Sequence, residues 1–149
     1  MKHQPRIVVV DDDPAIIEII RTILENQSYN VFTAEDGEKG LFLIREKQPH
    51  LIILDVKMPK ISGYLLAELL KKESKLAHIP IILLTGESRL TGNISLEQPT
   101  AYRLTKPFNV DELTDLVKDI LNQERRRILD QRKQLSDDSE QDESVDQSV

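Results

Sequence analysis

The sequence predicts an α/β fold: a doubly wound sheet of five parallel strands with helices on both faces. Short apolar runs recur at fairly even spacing, at Ile7-Val8-Val9-Val10, Val31-Phe32-Thr33-Ala34, Leu51-Ile52-Ile53-Leu54 and Ile81-Ile82-Leu83-Leu84, with a weaker fifth at Ala101-Tyr102-Arg103-Leu104. The strongest are apolar throughout rather than alternating, as strands covered on both faces require. Helical patterns fill the intervals, and this alternation is the signature of right-handed crossovers within one parallel sheet.

Each helix has its own signal. Asp13 is an N-cap ahead of Pro14 at the opening position, and Ile16, Ile17, Ile20, Ile23 and Leu24 then share one face. A second helix is expected from about Asp36 to Lys47 around Leu41, Leu43 and Ile44, and a third near Ser62 with Leu65, Leu66, Leu69 and Leu70. Pro49 and Pro80 stand just ahead of strands, where helix is hard to continue. Between Gly86 and Thr100 only Leu90, Ile94 and Leu96 serve as anchors, and Gly92 and Pro99 interrupt them, so the fourth helix is expected to be short or irregular. The last opens with Asn109 and, three residues on, Glu112, then buries Leu113, Leu116, Val117, Ile120 and Leu121.

The chain has 149 residues, a length that suits one domain with a tail. It has no cysteine, so disulfides, thiolate metal sites and thiol nucleophiles are excluded, and a cytoplasmic setting is expected. No run approaches the roughly 18 apolar residues of a membrane span, so no membrane role is expected. The net charge of −6 belongs to the end of the chain: six acids lie from Asp137 on, and the 20 bases before Ser136 face as many acids. The expected organisation is a folded domain over 1–121, a helical extension over 122–135 and a disordered acidic tail over 136–149. Leu121, Ile128 and Leu135 are seven apart, a weak coiled-coil signal. The basic stretch from Arg125 to Lys133 reads as a solvated helix face; with no aromatic and no helix-turn-helix, specific DNA reading is not expected.

In an open parallel sheet the crevice lies beyond the carboxyl ends of the strands. There the first strand is followed by Asp11-Asp12-Asp13, the third by Asp55, the fourth by Thr85 and the fifth by Thr105-Lys106. Crowded carboxylates repel unless a cation intervenes, and an all-oxygen donor set suits Mg²⁺. Lys106 adds an ammonium and Thr85 a hydroxyl for phosphate oxygens. Asp55, alone on a central strand, is the expected nucleophile toward phosphorus, with Asp11 and Asp12 as a metal clamp and Asp13 turned away to cap the helix. Any one of these features is ordinary turn chemistry; their joint placement at the same ends of four strands favours function.

With Ile7 through Pro14, then Ala34-Glu35-Asp36-Gly37, Asp55-Val56-Lys57-Met58-Pro59 followed by Gly63, Thr85, and Leu104-Thr105-Lys106-Pro107-Phe108, the sequence resembles the receiver domains of two-component response regulators over about Arg6 to Leu121. The resemblance implies a flavodoxin-like strand order 2-1-3-4-5 and phosphorylation at Asp55. Asp12 and Asp55 would ligate Mg²⁺ directly, Asp11 mainly through water, and the backbone carbonyl of Lys57 would complete the protein ligands. Thr85 and Lys106 would contact the phosphoryl group, and Lys106-Pro107 would be cis. The implied partners are a sensor histidine kinase or histidine phosphotransfer protein and a downstream protein target, and a dimer through the last helix or the face between the fourth helix and fifth strand is compatible. Such a protein is a phosphoacceptor with only its own autophosphorylation and dephosphorylation chemistry, not an enzyme acting on other substrates. With no DNA-binding or enzymatic module fitting beyond Leu121, a single-domain regulator is expected.

Departures from the family pattern are specific. The aromatic that usually stands three positions before the lysine is Arg103 here, with Tyr102 one place earlier; strand residues alternate faces, so Tyr102 substitutes only through a bulge or register shift. Gly86 and Glu87 follow Thr85, where Glu87 could tune dephosphorylation. Two rival functions are an aspartyl-phosphate phosphatase of haloacid-dehalogenase type and a phosphorylation-independent scaffold. The first usually has a second Asp two places after the nucleophile, where this chain has Lys57, and the second is disfavoured by the complete acidic set with Lys106.

Overall fold

The structure, a computed structural model, describes residues 3–86 and 101–146. Met1–Asp115 forms one compact unit and Leu116 onward, the rest of the last helix, a second. In the first unit β1 (Arg6–Val10), β2 (Asn30–Ala34), β3 (Leu51–Asp55), β4 (Ile81–Thr85) and β5 (Ala101–Thr105) alternate with α1 (Pro14–Asn26), α2 (Gly37–Lys47) and α3 (Gly63–Lys71). The strands make one parallel sheet in the order β2-β1-β3-β4-β5, as the resemblance implied. The expected fourth helix falls on 86–100, of which 87–100 lie outside the described residues. No helix among the described residues is long and apolar enough to cross a membrane.

Central strands β3 and β4 are buried along their whole length, which is why their sequences do not alternate, whereas edge strands β2 and β5 are partly exposed. One sheet face packs Val8, Val10, Ile52, Leu54, Ile81 and Leu83 against Ile44 of α2 and Leu66 and Leu70 of α3. The alternate residues Ile7, Val9, Ile53 and Leu84 are buried as well, as are Ile17, Ile20 and Leu24 on the apolar stripe of α1. The caps follow the sequence signals. Asp13 Oδ1 accepts from the amide of Ala15 at 2.9 Å, the side chain of Asp36 caps α2, and Ser62 caps α3. Asn109 Oδ1 accepts from the amide of Glu112 at 2.8 Å, capping the last helix, and its Nδ2 donates to the Glu112 carboxylate at 2.9 Å.

The start of β1 is clipped to the turn between α2 and β3. Arg6 donates from Nε and a terminal guanidinium nitrogen to the carbonyls of Lys47 and Gln48 at 3.0 and 2.9 Å, satisfying groups the helix end leaves free. Its amide donates to Nδ1 of His50 at 2.9 Å, so His50 must be neutral at that nitrogen. Burial, then the Arg6 charge, hold His50 below the usual histidine range. A group with a lowered folded pKa that binds as the neutral base contributes its full stability above pH 6.5 and loses it as pH falls through the folded value. Urea unfolding of His50→Ala is expected to show a loss of about 0.5–1 kcal/mol at pH 7.5, narrowing toward pH 5. A loss that is constant across that range would separate His50 from this clip.

The last helix, α4 (Val110–Asp146), corrects the expected organisation. It runs on over 122–135, as expected, and continues without a break to Asp146, into the segment that sequence composition marked as a disordered acidic tail over 136–149. Its 37 residues include neither glycine nor proline, and extending an existing helix costs far less than nucleating one.

Candidate phosphoryl and metal site

The strand order reverses beside β1, so the carboxyl ends of β1 and β3 open a crevice. Asp11 follows β1 directly, and Asp55, Thr85 and Thr105 are the last residues of β3, β4 and β5. Parallel register carries them to one edge: Asp55 lies opposite Leu84 and Thr85 opposite Thr105. Asp11 is fully buried, Asp55 and Thr85 are 6% and 5% exposed, and Asp12 faces solvent. Each of Asp11, Asp12 and Asp55 offers a carboxylate oxygen within 4.8 Å of the others. Asp13 is outside this group and caps α1, as expected.

Asp11 is held from two sides. Its Oδ1 accepts from the amide of Asp13 at 2.9 Å, and its Oδ2 lies 3.1 Å from Lys106 Nζ. The same ammonium is 3.4 Å from Asp55 Oδ1, so one lysine bridges two buried carboxylates. Burial alone would lower Lys106, but the hydrogen bond and charge of Asp11, followed by those of Asp55, outweigh it and hold the ammonium above the usual lysine range. Asp55 is pushed up to about 6, first by burial and then by the charge of Asp11, with Lys106 opposing both. The Lys106 amide donates to the Thr85 carbonyl at 2.7 Å, and Lys106-Pro107 is cis, as the resemblance implied.

Three carboxylates and one ammonium leave two negative charges in a half-sealed cleft with oxygen donors only. That donor set fits a hard divalent cation. Lys57 lies exposed two residues after Asp55 in the loop leading to α3. An open groove of about 580 Å³ between β2 and α2, lined by Thr33, Glu35, Glu38, Lys39, Phe42 and Leu43 among others, holds none of the site residues.

Gly63 is a site residue whose role sequence reasoning missed. Its amide donates to the Val56 carbonyl at 3.0 Å, and a Cβ there would stand 2.2 Å from the Asp55 carbonyl oxygen. The helix start thus lies against the backbone of Asp55 and Val56. Its signal in the sequence was a glycine directly after the Ser62 cap, which reads equally as a turn. At the other edge, β5 pairs residue for residue with β4 from Ala101 to Thr105, so no bulge or shift brings Tyr102 into the position of Arg103. Arg103 is half-buried, and its Nε is buried without a hydrogen-bond partner among the described residues.

The family described as the response regulator receiver domain matches residues 7–118. The chain belongs to that family. Its receiver domain is similar to the "DNA-binding dual master transcriptional regulator RpaA" of Synechocystis sp., 37% identical over 123 residues that make up 82% of this chain and 51% of that protein. It is also similar to "Histidine kinase P4" of Formosa agariphila, 36% identical over 84% of this chain but 9% of the kinase. Among solved structures, a response regulator receiver domain protein from Clostridium thermocellum superposes with a TM-score of 0.73 at 30% identity, covering 84% of this chain and 98% of that one. The receiver domain therefore recurs within longer regulators and kinases, and the chain spans about half the length of the transcriptional regulators it matches.

Proposed function

We propose that Asp55 accepts a phosphoryl group from a phosphohistidine on a sensor histidine kinase or phosphotransfer protein, making the chain a Mg²⁺-dependent phosphoacceptor in two-component signalling. The observation that carries this reading is the convergence of Asp11, Asp12 and Asp55 on one edge with Lys106 between the two buried carboxylates. A carboxylate oxygen of Asp55 attacks phosphorus; the new P–O bond forms as the P–N bond breaks, and the electron pair leaves with the imidazole nitrogen. Lys106, already within 3.4 Å of Asp55, neutralises a phosphoryl oxygen, and the Thr85 hydroxyl donates to another. Asp11, Asp12 and Asp55, with the Lys57 carbonyl that the resemblance implies, would hold Mg²⁺. When bound it supplies positive charge against the phosphoryl oxygens. The chain has no substrate to turn over beyond its own phosphorylation and hydrolysis.

Intact-protein mass after incubation with acetyl phosphate tests this. Wild type is expected to gain the mass of one phosphoryl group only with Mg²⁺ present, and Asp55→Asn is expected to gain none. No gain in wild type on rapid sampling, with acetyl phosphate and with histidine kinases as donors, would move the assignment to a phosphorylation-independent scaffold. That second reading draws on Arg103, a charged residue where the family usually has an aromatic.

A further inference from the structure

From Arg125 on, the last helix carries a basic block followed by an acidic one, with uncovered apolar side chains among the bases and at their junction. Arg125, Arg126, Arg127, Arg132 and Lys133 place five cations against the single acid Asp130, whereas the stretch from Asp137 to Asp146 holds six acids and no base. Ile128, Leu129 and Leu135 are 45%, 55% and 69% exposed. Ile128 and Leu135 stand seven residues apart on one helix face, with Arg125 and Arg132 beside them. Among the described residues Arg127 pairs with Glu124 at 2.9 Å, and the other four cations of this stretch form no ion pair.

These charges do not neutralise each other within one chain. The helix is continuous from Val110 to Asp146, so the basic and acidic blocks are held about 12 residues apart along a rod, roughly 18 Å between centres. Between the two blocks only Lys133 and Asp137 have opposite charges at the four-residue spacing that brings side chains together. The surface complementary to this helix is another helix whose acidic block lies over the basic one and whose basic block lies over the acidic one, with an apolar contact between them. The same helix reversed has that pattern.

We infer that this helix pairs antiparallel with the same helix of a second copy of the chain, crossing near Leu135. In that register Leu135 meets Leu135, and Arg132 and Lys133 of one copy lie across from Asp138 and Asp137 of the other. A parallel pair would align Ile128 as well as Leu135 with its own copy, where the antiparallel pair brings only Leu135 together, but it would set like charges side by side along both blocks, which selects against it.

Sedimentation of the full chain tests the pairing. A dimer is expected at about 0.05 M salt, dissociating toward monomer at about 1 M as the exposed charges are screened. The double variants Arg132→Glu, Lys133→Glu and Asp137→Lys, Asp138→Lys are each expected to self-associate at least about tenfold more weakly, while an equimolar mixture of the two recovers a heterodimer. Circular dichroism that matches wild type checks that each variant keeps its helix. A chain that is monomeric at every salt concentration overturns the proposal, whether or not its basic block then gathers duplex DNA. So does a dimer indifferent to the reversals, or a mixture that fails to recover association.

Discussion

Gly63→Ala is expected to lose about 2–4 kcal/mol of stability and to impair phosphoryl transfer out of proportion to that loss. The added methyl would stand 2.2 Å from the carbonyl oxygen and 2.9 Å from the carbonyl carbon of Asp55, and 3.0 Å from Cα of Val56. All three are backbone atoms of the chain leaving a fully buried strand, so no flexible side chain can move aside. Either α3 withdraws from β3, breaking the bond from the Gly63 amide to Val56, or the end of β3 moves and takes the Asp55 carboxylate with it. Gly86→Ala is the matched control: among the described residues a Cβ there meets nothing within 4 Å, so the substitution is expected to be neutral or mildly stabilising. Urea unfolding of both variants beside the rate of mass gain checks the pair. A Gly63→Ala protein as stable as Gly86→Ala would mean that α3 does not begin against Asp55.

Asp55→Asn should stabilise the metal-free protein. Burial and Asp11 raise the Asp55 carboxyl from 3.8 to about 6, against the opposing pull of Lys106. A carboxyl raised in the folded state contributes most stability when protonated, below its unfolded pKa, and that contribution is lost as pH rises through the folded value near 6. At pH 7.5 the ionised group therefore costs the fold about 2–3 kcal/mol, which an isosteric neutral amide removes. The expected gain in Tm is roughly 5–10 °C at pH 7.5 without divalent cations, shrinking toward zero near pH 4. Mg²⁺ should then raise wild type more than the variant, closing the gap. Scanning calorimetry at the two pH values, with and without Mg²⁺, checks this. A Tm that falls on substitution at pH 7.5 would mean that the bridge from Lys106 outweighs the repulsion.

Most of the fold and of the site was legible in the sequence because the evidence for each element is local. Uninterrupted apolar runs mark strands covered on both faces, and Asp13, Asp36, Ser62 and Asn109 announce the helix starts that they cap. The parallel sheet then brings the strand ends together, which is why the sequence alone groups Asp11, Asp55, Thr85 and Lys106. Arg103 was equally visible as a departure, and the unbroken β5 register now excludes Tyr102 from its place.

What the sequence by itself determined, then, is the type of each element, the sheet they build and the identity of the polar residues at its carboxyl edge, because short-range periodicity and capping specify these. Tertiary structure alone decided how those residues divide their work. Asp11 and Asp12 are neighbours in the chain, yet one is fully buried and tied to Lys106 across 95 positions while the other faces solvent. The need for glycine at position 63 comes from a backbone contact made only when α3 docks on β3, and the Arg6–His50 clip joins groups 44 residues apart. The reach of the last helix to Asp146 was misread for the opposite reason. Composition marked an acidic, solvated segment as unable to fold, but a helix already nucleated upstream extends through it with no core of its own.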